Sequence, residues 1–260
     1  MSSKPIGIFD SGVGGLSIWK EIHQLLPMES TRYLSDSKNA PYGPKGKEAI
    51  IKLSIKNTEC LINLGCKLIV VACNTATTNA IDTLRNNYTI PFIGIEPAIK
   101  PAAFQSKSKA IGILATRGTL SSQLFHNTSL LYSSELLVIE QHGDGIVELI
   151  ETGGLHSKEM LLLLQDYLKP MLEANIDCLV LGCTHYHFLT PILKELLPSH
   201  VKIIDSGEAV ARQTKAVLKR HRLLNNKTVE GTNMLYTNGK KPVMEALLKP
   251  VLATIRTLEF

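Results

Sequence analysis

Two stretches of sequence decide the fold: Lys67-Leu68-Ile69-Val70-Val71-Ala72 runs into Cys73-Asn74-Thr75, and Asp177-Cys178-Leu179-Val180-Leu181-Gly182 runs into Cys183-Thr184-His185. Each begins with a short apolar run that lacks polar alternation, which is typical of a strand buried in a parallel sheet. Apolar residues then recur at helical spacing. Each cysteine is therefore predicted to lie where a strand ends and a helix begins, in two copies of one α/β unit.

The flanking segments extend this repeat. Residues 90–96 and 200–205 each have the pattern of the next strand after the helix, and residues 6–11 have a counterpart in 111–116. Strands that alternate with helices predict an α/β fold with two pseudo-symmetric domains, each a mostly parallel sheet flanked by helices. Such sheets bind ligands at the carboxyl ends of their strands, so we expect the active site in the cleft between the domains.

Turn residues at Glu96-Pro97 and Ser206-Gly207 mark two predicted domain boundaries. The first domain is then predicted to comprise residues 1–97 plus 207–260, and the second residues 98–206. The C-terminal segment is too short to pack comfortably alone, so we expect it to return to the first domain. Its apolar periodicity predicts helices over 209–222 and 243–256.

Composition narrows the class of protein. The 260 residues are 44% apolar and 20% charged, which excludes collagen-like and disordered chains. No signal-peptide pattern and no apolar run of about 18 residues is present, so no membrane partner is expected and the cytoplasm is the predicted location. The five cysteines form no disulfide framework. The net charge of +5 is scattered, and Lys219-Arg220-His221-Arg222 has the pattern of a solvated helix face, so nucleic acid is not an expected partner.

Cys73 and Cys183 are the predicted catalytic pair. An isolated cysteine is more often a small buried hydrophobe, and that interpretation is kept for Cys60, Cys66 and Cys178. Cys73 and Cys183 recur at the same strand–helix junction of both repeats, which favours a catalytic role instead. A helix N-terminus is also expected to lower the pKa of a cysteine. One thiol on each side of the cleft would let one sulfur remove a proton from a carbon while the other donates to its opposite face.

Three polar motifs leave alternatives. Cys183-x-His185-x-His187 offers three metal ligands, but a zinc site usually has a fourth or a wider spread, so no metal is the favoured interpretation. Asp10 could be a helix N-cap, although its place before Gly12-Val13-Gly14-Gly15 favours a role in the site. These glycines do not form a dinucleotide fingerprint, because the sixth position is Ser17. We expect them instead to let backbone N–H groups approach a small carboxylate.

The sequence resembles the glutamate racemase family, within the wider aspartate/glutamate racemase group. The resemblance rests on Gly7-Ile8-Phe9-Asp10-Ser11-Gly12-Val13-Gly14-Gly15-Leu16, Ala40-Pro41-Tyr42-Gly43, Ala72-Cys73-Asn74-Thr75-Ala76, Leu181-Gly182-Cys183-Thr184-His185-Tyr186 and a C-terminal strand at Leu235-Tyr236-Thr237-Asn238-Gly239. It implies racemisation of glutamate by two cysteines, without pyridoxal phosphate or another cofactor. The implied role is supply of D-glutamate for bacterial peptidoglycan.

The resemblance also implies which residues serve the reaction. Cys73 and Cys183 would be the acid/base pair, assisted by Asp10 and His185 respectively. The residues implied to hold the amino acid are Asp10, Ser11, Pro41, Tyr42, Gly43, Asn74, Thr75, Thr116, Thr119, Glu151, Thr184 and His185. One departure is Phe125, where the family often has tyrosine. A racemase for another acidic amino acid and a catalytically silent amino-acid-binding protein remain alternatives, and whether the chain forms a homodimer stays open.

Overall fold

The computed structural model describes residues 2–132, 136–226, 228–248 and 253–260. The strands are β1 (Ile6–Asp10), β2 (Thr31–Ser35), β3 (Leu68–Val71), β4 (Phe92–Gly94), β5 (Ala110–Ala115), β6 (Leu137–His142), β7 (Cys178–Gly182), β8 (Lys202–Ile204), β9 (Asn233–Thr237) and β10 (Thr254–Thr257). The α-helices are α1 (Leu16–Leu25), α2 (Lys47–Asn63), α3 (Asn74–Asn87), α4 (Ile99–Gln105), α5 (Arg117–Leu120), α6 (Gln123–Leu130), α7 (Ile146–Glu151), α8 (Lys158–Glu173), α9 (Thr190–Leu196), α10 (Gly207–Arg220) and α11 (Lys241–Leu248). Short 3₁₀ helices span Ser37–Asn39 and Thr184–Leu189.

The strands form two parallel sheets, one in each domain. The first domain has the order β10-β9-β2-β1-β3-β4, and the second has β6-β5-β7-β8. Every strand pair in both sheets is parallel. The predicted α/β fold of two domains with helix-flanked parallel sheets is therefore confirmed.

The apolar runs form strands that are buried on both faces. In β1 and β3 of the first domain, alternate residues contribute to different core clusters: Ile8 and Val70 pack with Trp19 of α1, whereas Phe9 packs with Ile69 on the opposite face. All four residues of β3 are buried. This two-sided burial explains why the sequence of these strands is continuously apolar rather than alternating.

Parallel pairing places the carboxyl ends of the strands together. In the first domain Asp10 is in register with Ser35, and Ser35 is in register with Thr237. In the second domain Ala115 is in register with Gly182. The residues that follow these positions therefore gather at one edge of each sheet, and the two edges face a common space.

The C-terminal segment differs in part from its sequence-based prediction. β9 pairs with β2 and α10 packs against α1, so this segment joins the first sheet. The predicted helix over 243–256 is wrong in its second half, since α11 ends at Leu248 and Thr254–Thr257 pair with β9 as a strand. Residues 249–252 of that prediction lie outside the described residues. The β-branched residues of Thr254-Ile255-Arg256-Thr257 favour a strand, and the free edge of β9 supplies the backbone partner.

A second difference follows Cys183. The sequence predicted a helix directly after each cysteine, and α3 does begin at Asn74. After Cys183, however, the chain forms the 3₁₀ helix Thr184–Leu189 before α9 begins at Thr190. Pro191 at the start of α9 fits this later beginning, because proline is accommodated in the first turn of an α-helix.

Candidate active site

Asp10 organises the loop between β1 and α1. Its side chain is fully buried, and its Oδ2 accepts hydrogen bonds from the N–H groups of Gly12 at 3.3 Å and Gly15 at 2.8 Å. Across the domain boundary, the hydroxyl of Thr184 donates to Oδ1 of Asp10 at 3.4 Å. Burial raises the pKa of Asp10 above its ordinary value, although the neighbouring His185 opposes the shift. Asp10 therefore both shapes the glycine loop and contacts the second domain.

Cys73 lies at the N-cap of α3. Its sulfur accepts the N–H of Ala76 at 3.4 Å, and its thiol donates to the hydroxyl of Ser11 at 3.5 Å. Burial, together with the carboxylate of Asp10, nevertheless raises the pKa of Cys73. The expectation that a helix N-terminus by itself lowers the pKa of this thiol is wrong, because desolvation outweighs the single N–H contact.

Cys183 contacts His185, which lies two residues further along the chain. The Cys183 sulfur lies 3.9 Å from His185 Nδ1, and His185 Nε2 lies 2.7 Å from Oε1 of Glu151. His185 is 1% exposed, and burial opposes its charge. The contacts with Cys183 and Glu151 prevail and raise the pKa of His185 well above its ordinary value. A protonated imidazole is thus held between a sulfur and a carboxylate.

Glu151 joins the two domains. It ends α7 of the second domain, and its Oε1 accepts the N–H of Val13 at 2.6 Å. Its Oε2 accepts the hydroxyl of Ser37, also in the first domain, at 2.7 Å. Burial alone would raise the pKa of Glu151, but the hydrogen bonds of His185, Ser37 and Val13 lower it. A Cβ at Gly12 would overlap the Glu151 carboxylate, which explains glycine at this close approach.

Three hydroxyls form a second bridge between the domains. Thr75 in α3 lies 2.7 Å from the hydroxyl of Thr116, which lies 2.9 Å from that of Thr119. Thr116 also caps α5 by accepting the N–H of Thr119. Beside them, the amide of Asn79 donates to the carbonyl of Gly118 at 2.9 Å. The domains are therefore in contact at Thr75 and Asn79 as well as at Glu151.

One small cavity collects the polar residues at the facing sheet edges. Its lining residues are Ser11, Pro41, Tyr42, Gly43, Cys73, Asn74, Thr75, Thr116, Val147, Cys183, Thr184 and His185. The gaps between the lining atoms total about 250 Å³. A water molecule can place its centre in only about 10 Å³ of this space. That is about the room for a single water molecule. The walls must part before a molecule the size of an amino acid can bind.

Asn74 is the residue most clearly poised for a ligand. It is 2% exposed and lines the cavity, yet neither its Oδ1 nor its Nδ2 has a hydrogen-bond partner. Buried amides are nearly always paired, because leaving one unpaired costs about 1–3 kcal/mol. A carboxylate or ammonium group in the cavity could satisfy Asn74.

Most of the predicted site residues line this cavity, and three lie behind the lining. Asp10, Thr119 and Glu151 do not line it, but hydrogen-bond to residues that do. Val147, a lining residue, was not singled out from the sequence. Phe125 is 2% exposed in the core of the second domain, packed among residues such as Ile113, and is not among the lining residues.

Sequence reasoning also missed a group of residues beneath the cavity. The hydroxyl of Tyr42 donates to Asp36 at 2.5 Å, and the amides of Asn39 and Asn238 donate to the same carboxyl group. Asp36 directly follows β2, so its position at the end of a strand was the signal that could have identified it. The strand itself was not predicted.

His187, the third candidate ligand of the metal alternative, makes its contact elsewhere. His187 Nδ1 lies 3.9 Å from Asp205, on a contact separate from the Cys183–His185 pair. Within the residues that the structure describes, no three His, Cys, Asp or Glu side chains gather as metal ligands.

All five cysteines carry free thiols. Across the same ranges, no helix combines the length and apolar character required to cross a membrane.

These features define a two-domain α/β enzyme in which each domain presents a cysteine to a shared interdomain cavity. Residues 6–214 match the Asp/Glu/Hydantoin racemase family. The chain belongs to this family and is therefore an isomerase.

The relatives with similar sequences and structures are racemases. A glutamate racemase from Ectopseudomonas mendocina is 45% identical over 252 residues, which cover 96% of this chain and 95% of that protein. The crystal structure of a glutamate racemase isoform from Bacillus anthracis superposes with a TM-score of 0.87 at 28% identity, covering 100% of this chain and 98% of that one. The structure of the Escherichia coli glutamate racemase, in complex with L-glutamate and the activator UDP-MurNAc-ala, gives a TM-score of 0.85 at 33% identity and covers 98% of both chains.

Proposed function

We propose that this protein interconverts L-glutamate and D-glutamate by passing the α-proton between Cys73 and Cys183, without a cofactor. The observation that carries this proposal is that a cysteine from each domain lines the same cavity. Relatives of high similarity are named glutamate racemase, and one was solved with L-glutamate bound. An acid on one face of a carbon and a base on the other is the arrangement that inversion requires.

The surroundings of the two sulfurs differ. His185 Nδ1 lies 3.9 Å from the sulfur of Cys183, whereas burial and the carboxylate of Asp10 raise the pKa of Cys73 and favour its thiol form. When Cys183 acts as the base, its sulfur takes the α-proton, so the Cα–H bond breaks and an S–H bond forms. Cys73 then donates its proton to the opposite face. Asp10 and His185 serve as the partners that exchange protons with Cys73 and Cys183.

The amino acid is proposed to be held by the polar lining of the cavity. Asn74 has free donor and acceptor atoms, and Ser11, Thr75 and Thr184 surround it with hydroxyls. Thr116 and Thr119, whose hydroxyls lie 2.9 Å apart, meet the side-chain carboxylate in this arrangement, and Pro41, Tyr42 and Gly43 complete the lining, with Gly43 beside Thr116.

The domain division is also a proposal. We assign residues 1–97 and 207–260 to one moving body and 98–206 to the other. The chain passes between the two bodies twice, near Glu96 and near Ser206, and these two places are in contact. In support of the division, the hydroxyl of Ser206 donates to the carbonyl of Glu96 at 2.5 Å. A paired crossing of this kind is suited to act as a hinge for opening the closed cavity.

The first test is racemisation by the purified protein with no added cofactor. We expect the circular dichroism of L-glutamate to decay to zero, because the enantiomers have equal free energies. In D₂O the product should carry α-deuterium. Cys73→Ala and Cys183→Ala should each abolish racemisation, since either change removes one of the two proton carriers.

The alternatives predict different outcomes of this assay. Turnover that persists in either cysteine variant would refute the two-thiol mechanism. Racemisation of aspartate in place of glutamate would keep the chemistry and change the substrate. Glutamate binding without any turnover would indicate an amino-acid-binding protein.

The cellular role follows from the proposed product. We propose that the chain supplies D-glutamate for peptidoglycan, in the cytoplasm, where five free thiols would stay reduced. Depletion of the protein should then cause lysis that external D-glutamate prevents. Lysis that D-glutamate does not relieve would contradict this role.

A further inference from the structure

A buried polar network lies directly beneath the Pro41-Tyr42-Gly43 wall of the cavity. Its centre is Asp36, which is fully buried and accepts three side-chain hydrogen bonds. Tyr42 donates to Oδ2, while Asn39 and Asn238 donate to Oδ1. The backbone N–H of Asp36 also donates to the carbonyl of Asp10 at 3.0 Å. The network therefore connects Asp10, which begins the loop after β1, with Tyr42 in the cavity wall.

Tyr42 lines the cavity, and its hydroxyl is held by other side chains. The hydroxyl is engaged twice, because it donates to Asp36 and accepts from the amide of Asn57 at 3.1 Å. Tyr42 packs in the same apolar cluster as Cys73 and is 1% exposed. The position of this wall against Cys73 is thus set by the hydrogen bonds behind the ring.

Asn238 supplies the contact from the C-terminal segment. It follows β9 and uses both ends of its amide: Nδ2 donates to Asp36 at 2.5 Å, and Oδ1 accepts the N–H of Lys38 at 2.9 Å. Its backbone N–H donates to Ser35 at 3.3 Å. An amide is suited to this position because it both donates and accepts, whereas an aspartate would place a second carboxylate beside Asp36.

We propose that Asn238 is a positioning residue for the reaction, which fixes Tyr42 through Asp36 and so sets the wall of the cavity that faces Cys73. This inference rests on the proposed racemase function for its kinetic consequence. Its structural consequence is independent of any substrate. The C-terminal strand β9 thereby contributes to a site whose lining residues it does not supply.

The test compares Asn238→Ala and Asn238→Asp with the wild-type protein by two measurements. The first is the rate at which iodoacetamide alkylates each cysteine, read by peptide mass spectrometry. We expect alkylation of Cys73 to accelerate about tenfold, which corresponds to about 1.4 kcal/mol, because the wall covers this thiol less securely. Cys66 and Cys178 lie in the cores of the two domains, so their rates should not change.

The second measurement is steady-state racemisation. We expect KM for glutamate to rise about tenfold while kcat changes less than about twofold, since the wall orients substrate without exchanging its proton. Tyr42→Phe removes the same linkage from the other side. The effects of Asn238→Ala and Tyr42→Phe on KM should therefore be non-additive in the double variant.

Asn233→Ala is the matched control. Asn233 begins the same strand and accepts a hydrogen bond from Thr31 at 2.7 Å, remote from the cavity wall. It should lower thermal stability without changing Cys73 alkylation or KM. Equal acceleration at Cys66, Cys73 and Cys178 in Asn238→Ala would indicate general loosening and overturn the proposal.

Failure of this inference is distinguishable from failure of the proposed function. If wild-type protein racemises glutamate but Asn238→Ala leaves Cys73 alkylation and KM unchanged, Asn238 has no positioning role. If wild-type protein is inactive toward glutamate while Cys73 alkylation still accelerates in the variant, the proposed function fails and the positioning role stands.

Discussion

His185 shows how neighbouring side chains outweigh burial at a single residue. An isolated histidine with 1% exposure would lose its proton readily, because desolvation disfavours the charged form. Here the sulfur of Cys183 and the carboxylate of Glu151 lie on the two ring nitrogens, and the pKa of His185 rises instead. The same contact lowers the pKa of Glu151. The pair is therefore charged across the neutral range.

These opposite shifts predict a window of pH in which the pair stabilises the fold. The lowered pKa of Glu151 contributes stability that is present above pH 4.5 and lost as pH falls through its folded-state pKa. The raised pKa of His185 contributes stability that is fully present below pH 6.5 and lost as pH rises through its folded-state pKa.

We expect Glu151→Gln to cost about 3–5 kcal/mol within this window, since it removes the carboxylate that is hydrogen-bonded to the buried imidazolium. Urea unfolding of both proteins between about pH 5 and pH 9 measures the difference, which should shrink at the alkaline end as His185 loses its proton. A difference that grows with rising pH would contradict the assigned charge states.

At the level of secondary structure, α3 gives Cys73 a second role as a helix cap. The sulfur accepts the N–H of Ala76 as a capping serine hydroxyl would. Cys73→Ser should therefore keep the cap and Cys73→Ala should lose it, at a cost of about 1 kcal/mol. Both variants should lack racemisation, because neither carries a thiol.

Chemical denaturation separates these two roles of Cys73. The serine variant should match wild type in unfolding free energy, and the alanine variant should unfold at lower denaturant. Equal stability of the two variants would show that the sulfur contact does not cap α3.

The elements that could be predicted from sequence are those with a strong local pattern. The apolar runs before Cys73 and Cys183 form β3 and β7, because two-sided burial leaves a continuous signal. β10 carries no such signal, since its residues are largely exposed and its partner is β9. A strand of this kind depends on a tertiary neighbour, and the periodicity of residues 243–256 was misread as one helix.

The residues of the candidate site were predictable only where they follow strands with such a pattern. Cys73 and Cys183 were placed in one cavity by the repeat and by strand-end logic. Ser37 and Asn238 were not found, because each acts through another side chain across a large separation in sequence, and Asp36 was not found because the strand it follows, β2, was not predicted. Hydrogen-bond networks of this kind leave no local spacing in the sequence.

At the level of the whole molecule, the closed cavity adjoins an open pocket on the surface. This second pocket shares Pro41, Gly43, Thr116 and Val147 with the cavity, so we infer that substrate passes through it when the domains part. Arg117 and Asp144 pair across it at 2.6 Å, and Glu148 adds a further carboxylate to its wall. The approach to the cavity therefore carries more negative than positive charge.

This charge opposes an anionic amino acid, and its removal should favour binding. We expect Glu148→Gln to raise kcat/KM for glutamate at low ionic strength, with equal gains in both directions because the enantiomers have equal free energies. The gain should diminish as salt is added, since the Debye length falls to about 10 Å at 0.1 M. Glu245→Gln is the matched control, because Glu245 pairs with Lys241 in α11, outside the pocket, and should leave kcat/KM unchanged at every salt concentration. A Glu148→Gln effect that does not depend on salt, or one that Glu245→Gln reproduces, would show that substrate does not pass this carboxylate on its way to the two cysteines.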